Sequence, residues 1–388
     1  MYRGDLARDG HPAGATLTAA SAKKLKAVWQ AELVGPVNGT PVVSGGVVVA
    51  ASAGGAVAAF NLATGAKLWQ ANGFGRLSGS PTITGKTVIF GSLDGHITAI
   101  DLDRGAKLWD VKAPGGQPAI WSSPAVYGQL VIVGVGSQYG DTPLEAGRVL
   151  ALDLTSGRTV WTLCAMVTCG AGDGIWSTPA IDAAGRGYIG LGNPDDAVLA
   201  FDAAGGKRLW MTSFHPDSGR DVDVGATPIV LKSGGRDIIA VGSNVGVFKA
   251  FDAVTGMQVW TRDVVNGSAV HGLLASLAYD GSNFYVASAG QPVGMFALRA
   301  SDGKTTWTYD SGLPIYSAPA LGNGVLVFGI GDVFGDPNVG GVVALSTSDG
   351  HVLWLADFHS AVFSAPAIVG DTVLIGNSRG DLVAYRPA

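Results

Sequence analysis

Short apolar, β-branched runs separated by glycine-rich turns recur along the chain, as in Val47-Val48-Val49 and Leu130-Val131-Ile132-Val133. Each run is too short for a buried helix and reads as a strand. After a loop comes a second strand signal: an alanine two residues before Asp or Asn, then a Gly, then a Trp four residues beyond it. The clearest copies are Ala59-Phe60-Asn61 to Gly65 to Trp69, Ala99-Ile100-Asp101 to Gly105 to Trp109, and Ala151-Leu152-Asp153 to Gly157 to Trp161. Related copies end at Trp210, Trp260, Trp307 and Trp354. The Gly can take positive φ in the intervening turn, and the Asp or Asn can hydrogen-bond local backbone.

A small-Pro-apolar step opens the first strand of each unit: Thr40-Pro41-Val42, Ser80-Pro81, Ser123-Pro124, Thr178-Pro179, Thr227-Pro228, Ala318-Pro319 and Ala365-Pro366. Proline is tolerated at the start of a strand, where no ladder hydrogen bond depends on its nitrogen. Four strands per roughly 40–50 residues is the unit of a propeller blade. The sequence therefore predicts an all-β fold, an eight-bladed β-propeller of four-stranded antiparallel blades. Ala275-Ser276-Leu277 lacks the Pro and marks a degenerate sixth blade. The last opening, at Pro366, has room for three strands only, so residues 25–32, carrying Trp29, are predicted to complete that blade and close the ring. The repeat consumes nearly all of residues 1–388, which reads as a single domain with residues 1–24 as an N-terminal extension.

Composition narrows the function. Charged residues are only 14% of the chain, the net charge is −5, and no basic cluster occurs, which argues against a nucleic-acid partner. No apolar run approaches the ~18 residues of a membrane span, and residues 1–24 show no signal-peptide pattern. Cys164 and Cys169, the two cysteines, have four residues between them and no His or Cys neighbour, which suits a disulfide more than a metal site. A disulfide points to an oxidising compartment, so a periplasmic or extracellular location is expected.

Chemistry is expected on one face. The loops entering the first strands and those joining second to third strands share one end of the ring, and here aromatic and acidic residues collect. Trp121, Trp176, Tyr316 and Phe363 stand three residues before the Pro of their blades, and His271 and Asp223 precede other first strands. The repeat tryptophans are structural, since one recurs in every blade. A channel-end pocket of Trp121, Trp176, Asn193, Asp223, Asn244, His271 and Tyr316 is expected, with Phe363 alongside. Its ligand should be flat or polyhydroxylated, because ring faces and carboxylates would line it.

The repeat, from Trp29 to Ala384, resembles the pyrroloquinoline quinone (PQQ) repeat of quinoprotein alcohol dehydrogenases, and in particular the propeller domain of polyvinyl-alcohol dehydrogenases. Three segments carry the resemblance: Gly174-Ile175-Trp176-Ser177-Thr178-Pro179-Ala180-Ile181-Asp182, Gly190-Leu191-Gly192-Asn193-Pro194 and Asp221-Val222-Asp223-Val224-Gly225-Ala226. The resemblance implies PQQ and calcium as cofactors, with Trp176 as the platform for the flat quinone. It further implies Asn193 as a metal ligand and Asp223 as the base that takes the alcohol proton. Asp223 is also counted with Asn193 and Glu145 in the implied metal set, Glu145 standing near where the family places a glutamate. The family's cationic contact falls on Asn244, and its adjacent cysteine pair is absent, blade two having no cysteine. Trp121 is expected to join the cofactor contacts, and His271, Tyr316 and Phe363 the substrate pocket. No Cys-x-x-Cys-His occurs, so no covalent haem is expected. The expected partner is a small-molecule alcohol or polyol bound by a monomer. The alternatives are a non-catalytic exported propeller with a protein partner, like the propeller lipoprotein of the outer-membrane assembly machinery, and an enzyme of different chemistry on the same face.

Overall fold

The computed structural model describes residues 2–216, 221–233 and 235–388. Among them the chain forms eight four-stranded antiparallel sheets, each running in chain order from the inside outward, except the last. Blade one comprises Val42–Ser44, Val47–Ala51, Ala56–Asn61 and Lys67–Asn72. Blade four comprises Ala180–Ile181, Arg186–Gly190, Ala197–Asp202 and Arg208–Ser213. The middle strands of each blade are buried on both faces because each sheet is sandwiched between two neighbours, so they read as continuous apolar runs. The hydrophobic core accordingly lies between blades; Val49, Val57 and Ala59 of blade one pack with Val88, Phe90 and Ile100 of blade two.

The last blade is built as the sequence predicts. Leu25–Glu32 pairs antiparallel with Asp381–Pro387 and supplies the outermost strand. The ring is thereby closed by hydrogen bonds between its two ends, which leaves only short edges.

The Trp and Gly of the repeat explain each other across the blade interface. Trp29, Trp69, Trp109, Trp210, Trp260 and Trp307 each donate the indole N–H to a backbone carbonyl of the next blade, at 2.7–3.2 Å. Each ring covers the turn glycine of that neighbour. Gly105 sits at φ +68°, and a Cβ there would fall 2.6 Å from Trp69, so both conformation and space demand glycine. Trp354 instead packs edge-on against Tyr385 at 4.9 Å.

The small residue before each Pro has its own role. The backbone N–H groups of Thr40, Ser80, Ser123, Thr178 and Thr227 donate to the hydroxyls of Ser80, Ser123, Thr178, Thr227 and Ser276, at 2.8–3.1 Å. A belt of hydroxyls thus stitches the inner strands together around the channel.

The N-terminal segment, read from sequence only as an extension, packs at its residues 6–17 against the inner strands. The carbonyls of Leu6, Ala7, Asp9 and Gly10 accept from the N–H groups of Ile181, Val230, Tyr279 and Leu321, at 2.8–2.9 Å. The segment thereby crosses the inner strands of blades four to seven at the ends remote from the entry loops, and Thr16 then bonds Gly370 of blade eight. It carries Arg3 and Arg8 into the protein, where both are buried. The segment thereby covers the short-turn end of the channel.

Cys164 and Cys169 form a disulfide closing the loop after the outer strand of blade three. Arg208 of blade four donates to the carbonyls of Cys164 and Ala165 and ties this loop to its neighbour. Mass spectrometry of the unreduced protein should find no alkylatable thiol. Replacing both cysteines by Ser should cost about 2 kcal/mol, the low end for disulfides because the loop is short, read as a shift in the denaturation midpoint.

Candidate functional site

The entry loop of blade four presents Trp176, and the chain of blade five leaves a place for it. A Cβ at Gly225 would stand 1.8 Å from the Trp176 ring, so the indole occupies the volume of the missing side chain. Its Nε1–H donates to Asp223 Oδ2 at 2.6 Å. The other oxygen, Oδ1, accepts from the Asn193 backbone N–H at 3.3 Å. Residues from three separated loops therefore meet on one carboxylate. Gly192 allows this approach, because a Cβ there would lie 3.0 Å from the Asp223 carboxyl.

Burial pushes the Asp223 carboxyl up to about 6; the nearby charges of Asp221 and Asp196 act the same way, while the Trp176 hydrogen bond opposes them. A carboxylate balanced there can accept a proton near neutral pH. Asn244 donates its backbone N–H to the Asp223 carbonyl at 3.0 Å and its side-chain Nδ2–H to Ala269 O at 2.9 Å. Its Oδ1 is buried with no hydrogen-bond partner among the described residues.

Beneath Asn193 lies a second acidic group that the sequence reading missed. Asp173 is fully buried at φ +52°, a left-handed conformation uncommon outside glycine. Its N–H donates to Asn193 O at 2.6 Å, and its Oδ1 accepts from the Asp195 N–H at 3.1 Å. Burial, reinforced by Asp195 and Asp196, pushes its carboxyl up to about 7. Asn193 Nδ2 donates to Asp196 at 3.5 Å, and His215 Nδ1 stands 3.7 Å from the same carboxylate. The usable signal for Asp173 was an acidic residue between two glycines just ahead of Ile175-Trp176.

The expected site residues fall into three groups. Trp176, Asn193, Asp223 and Asn244 are together at blades four and five. Tyr316 and Phe363 stack at 5.9 Å with 7° between their planes, and His271 lies 6.4 Å from Tyr316. His271 also lines, with Gln291, Asp332 and Asp336, a cleft of about 610 Å³ across blades five to seven. Asn244 links the two groups through its bond to Ala269, two residues before His271. Trp121 and Glu145 form the third group, on blade three. Trp121 donates to Ser137 O at 2.8 Å. The buried Glu145 carboxylate accepts the Gln117 N–H and packs on Gly115 and Gly116, so it fastens the connection between blades two and three. Among the described residues no three His, Cys, Asp or Glu side chains are gathered as a metal-binding group.

Asn193 and Asn244 both bond Asp223 through their backbone N–H groups, and all three are oxygen-bearing residues of the kind a hard cation takes. Among the described residues the Asn244 Oδ1 has no donor, and the indole is fixed against Gly225 and by its bond to Asp223. The residues present fit both a flat group and such a cation, with Glu145 committed elsewhere.

Comparison with known proteins agrees with the fold and the repeat. A family model described as outer membrane protein assembly factor BamB (PQQ_2) matches residues 12–142, 117–274, 194–356 and 244–388. A polyvinylalcohol dehydrogenase of Pseudomonas sp. is 29% identical over 212 residues, covering 42% of this chain and 33% of the relative. One from Sphingopyxis sp. (strain 113P3) is 27% identical over 205 residues, covering 49% of this chain and 27% of the relative. The matches thus span a third or less of these relatives' own length. Quinohemoprotein alcohol dehydrogenase from Comamonas testosteroni superposes with a TM-score of 0.86 at 16% identity, over 99% of this chain and 79% of its own. With every part of the ring from residue 12 onward matched by the family model, the chain belongs to the PQQ-repeat (PQQ_2) propeller family.

Proposed function

We propose that this propeller oxidises an alcohol or polyol using PQQ and calcium at the Trp176–Asp223 site. The observation that carries the reading is the single carboxylate of Asp223, shared by Trp176 and Asn193 and poised near pH 6. When bound, PQQ would accept the hydride, and the cation would polarise its carbonyl. Trp176 offers its face as the platform. Asn193 and Asn244 offer oxygens to the cation, which leaves the Asp223 carboxylate for the proton, and Trp121 is a further aromatic contact. Asp223 takes the hydroxyl proton of the alcohol on its carboxylate; burial keeps competing water off that group and raises its basicity. The substrate approaches along the cleft by His271, with the stacked Tyr316 and Phe363 rings packed behind it. The chain acts as a single-domain monomer in the periplasm or outside the cell, where its disulfide is stable.

Calorimetry with PQQ, with and without calcium, tests the reading, followed by quinone absorbance after gel filtration and dye reduction with alcohols. Calcium-dependent heat and retained absorbance are expected. Absence of both would overturn it and favour a scaffold role on the same face.

A further inference from the structure

One short segment serves both of the groups that bond the Asp223 carboxylate. It starts at Cys169, where the disulfide to Cys164 closes the loop after the outer strand of blade three, and it ends at Trp176. Its middle grips the turn that carries Asn193. The Asp173 N–H donates to Asn193 O at 2.6 Å, the Asp195 N–H to Asp173 Oδ1 at 3.1 Å, and the Gly192 N–H to Gly174 O at 2.9 Å. Asp173 therefore bonds the turn on both sides of Pro194, once with its backbone and once with its side chain. Asn193 in turn gives its N–H to Asp223 Oδ1 at 3.3 Å.

The segment needs to be held. Cys169 lies at φ +53° and Asp173 at φ +52°, in the left-handed region that residues other than glycine seldom adopt. Such conformations persist only where the surroundings over-determine them. On one side, a Cβ at Gly147 would fall 1.7 Å from Asp173 O, so the backbone of blade three closes directly on Asp173. Gly172 gives its N–H to Glu145 O at 3.0 Å and accepts that of Gly147 at 2.8 Å. On the other side, a Cβ at Gly172 would lie 3.0 Å from Pro194, 3.3 Å from Asn193 O and 3.6 Å from the Met166 sulfur. Met166 stands inside the disulfide loop, and its carbonyl accepts the Cys169 N–H at 3.1 Å. The bridge, Met166, Gly172 and the Asn193 turn are packed in series.

We propose that Asp173 is a positioning residue for the Trp176–Asp223 group and that the Cys164–Cys169 bridge is the clamp that keeps it in place, so that opening the bridge loosens the Asn193 turn. Cys169 is exposed, and a dithiol can reach it. The dithiol passes two electrons and two protons to the bridge, which becomes two thiols, while the dithiol closes to its own disulfide. The proposal rests on the reading of the Trp176–Asp223 group as the functional site.

Hydrogen exchange followed by mass spectrometry, on the full chain without PQQ or calcium, tests it. The equivalent turn of blade one, residues 52–55, is the internal control. Dithiol reduction, and separately Asp173→Ala, should speed exchange of residues 190–197 by about tenfold more than in the control turn, the effect of losing one hydrogen bond. Asp173→Asn keeps an oxygen for the Asp195 N–H and tolerates the left-handed φ, so it should exchange like the parent. Faster exchange confined to residues 164–169 on reduction, an equal rise in the control turn, or an Asp173→Asn variant no better than Asp173→Ala would overturn the proposal. Should Asp173→Ala fail to fold, the oxidised and reduced parent decide. Where calorimetry shows calcium-dependent PQQ binding by the parent, Asp173→Ala should weaken it about 10–100-fold, as losing a partner of a metal ligand does. No PQQ binding by the parent would count against the dehydrogenase reading and leave the exchange result standing.

Discussion

Asp223→Asn is expected to lower alcohol turnover by about 10²–10⁴-fold, the usual contribution of a positioned general base, because an amide cannot accept the proton. The ring should stay folded. The amide oxygen can still accept from Trp176 Nε1, while the new NH₂ faces the Asn193 N–H and loses that hydrogen bond at about 1 kcal/mol. The parent should also show a pH limb that the variant lacks. With its carboxyl raised to about 6, Asp223 is protonated and inactive as a base below that pH and ionised above it. The parent rate should therefore rise as pH passes upward through about 6. Steady-state kinetics across pH, beside thermal melts of both proteins, make the check. A variant with parent turnover would remove Asp223 from the chemistry.

Deleting residues 1–32 should cost stability comparable to that of the whole fold, about 5–15 kcal/mol, so the product is expected to be unfolded or aggregated. The deletion takes away the strand Leu25–Glu32, exposes the edge of Asp381–Pro387, and removes Trp29 from Leu62 and Gly65 of blade one. Losing a packed Trp alone costs about 3–5 kcal/mol. Deleting only residues 1–24 spares that strand and should leave the ring closed, at a lower melting temperature. A 1–32 deletion variant melting at the parent temperature would contradict closure by this strand.

The propeller was legible because its determinants are local and repeated. Trp69 and Gly105 are far apart in sequence, yet every blade meets the same neighbour, so the same Trp, Gly, Ala-x-Asp and small-Pro steps return at a steady period. Periodicity turns a tertiary contact into a sequence pattern, and even the closing strand could be assigned by counting blades. The hydroxyl of the small residue was visible too, but its purpose was not, since the donor sits one blade away.

The site was legible only in its residue types. Trp176, Asn193 and Asp223 stand in recognisable segments, but that one carboxylate takes hydrogen bonds from both others is a meeting of three loops, made possible by the absent side chains of Gly192 and Gly225. Glu145 looked equally available in sequence, and the fold commits it to Gln117. Asp173 owes its raised pKa to burial, which no single position announces.

The sequence by itself determined the all-β ring of eight blades, its manner of closure and the face rich in aromatic and acidic groups, because a repeating interface writes the same residues into every blade. Tertiary structure alone decided where the N-terminal segment lies. Arg3 meets Pro319 across 316 positions and Arg8 meets Pro179 across 171. These contacts occur once and so leave no period to read, and their acceptors are backbone carbonyls, which every residue carries.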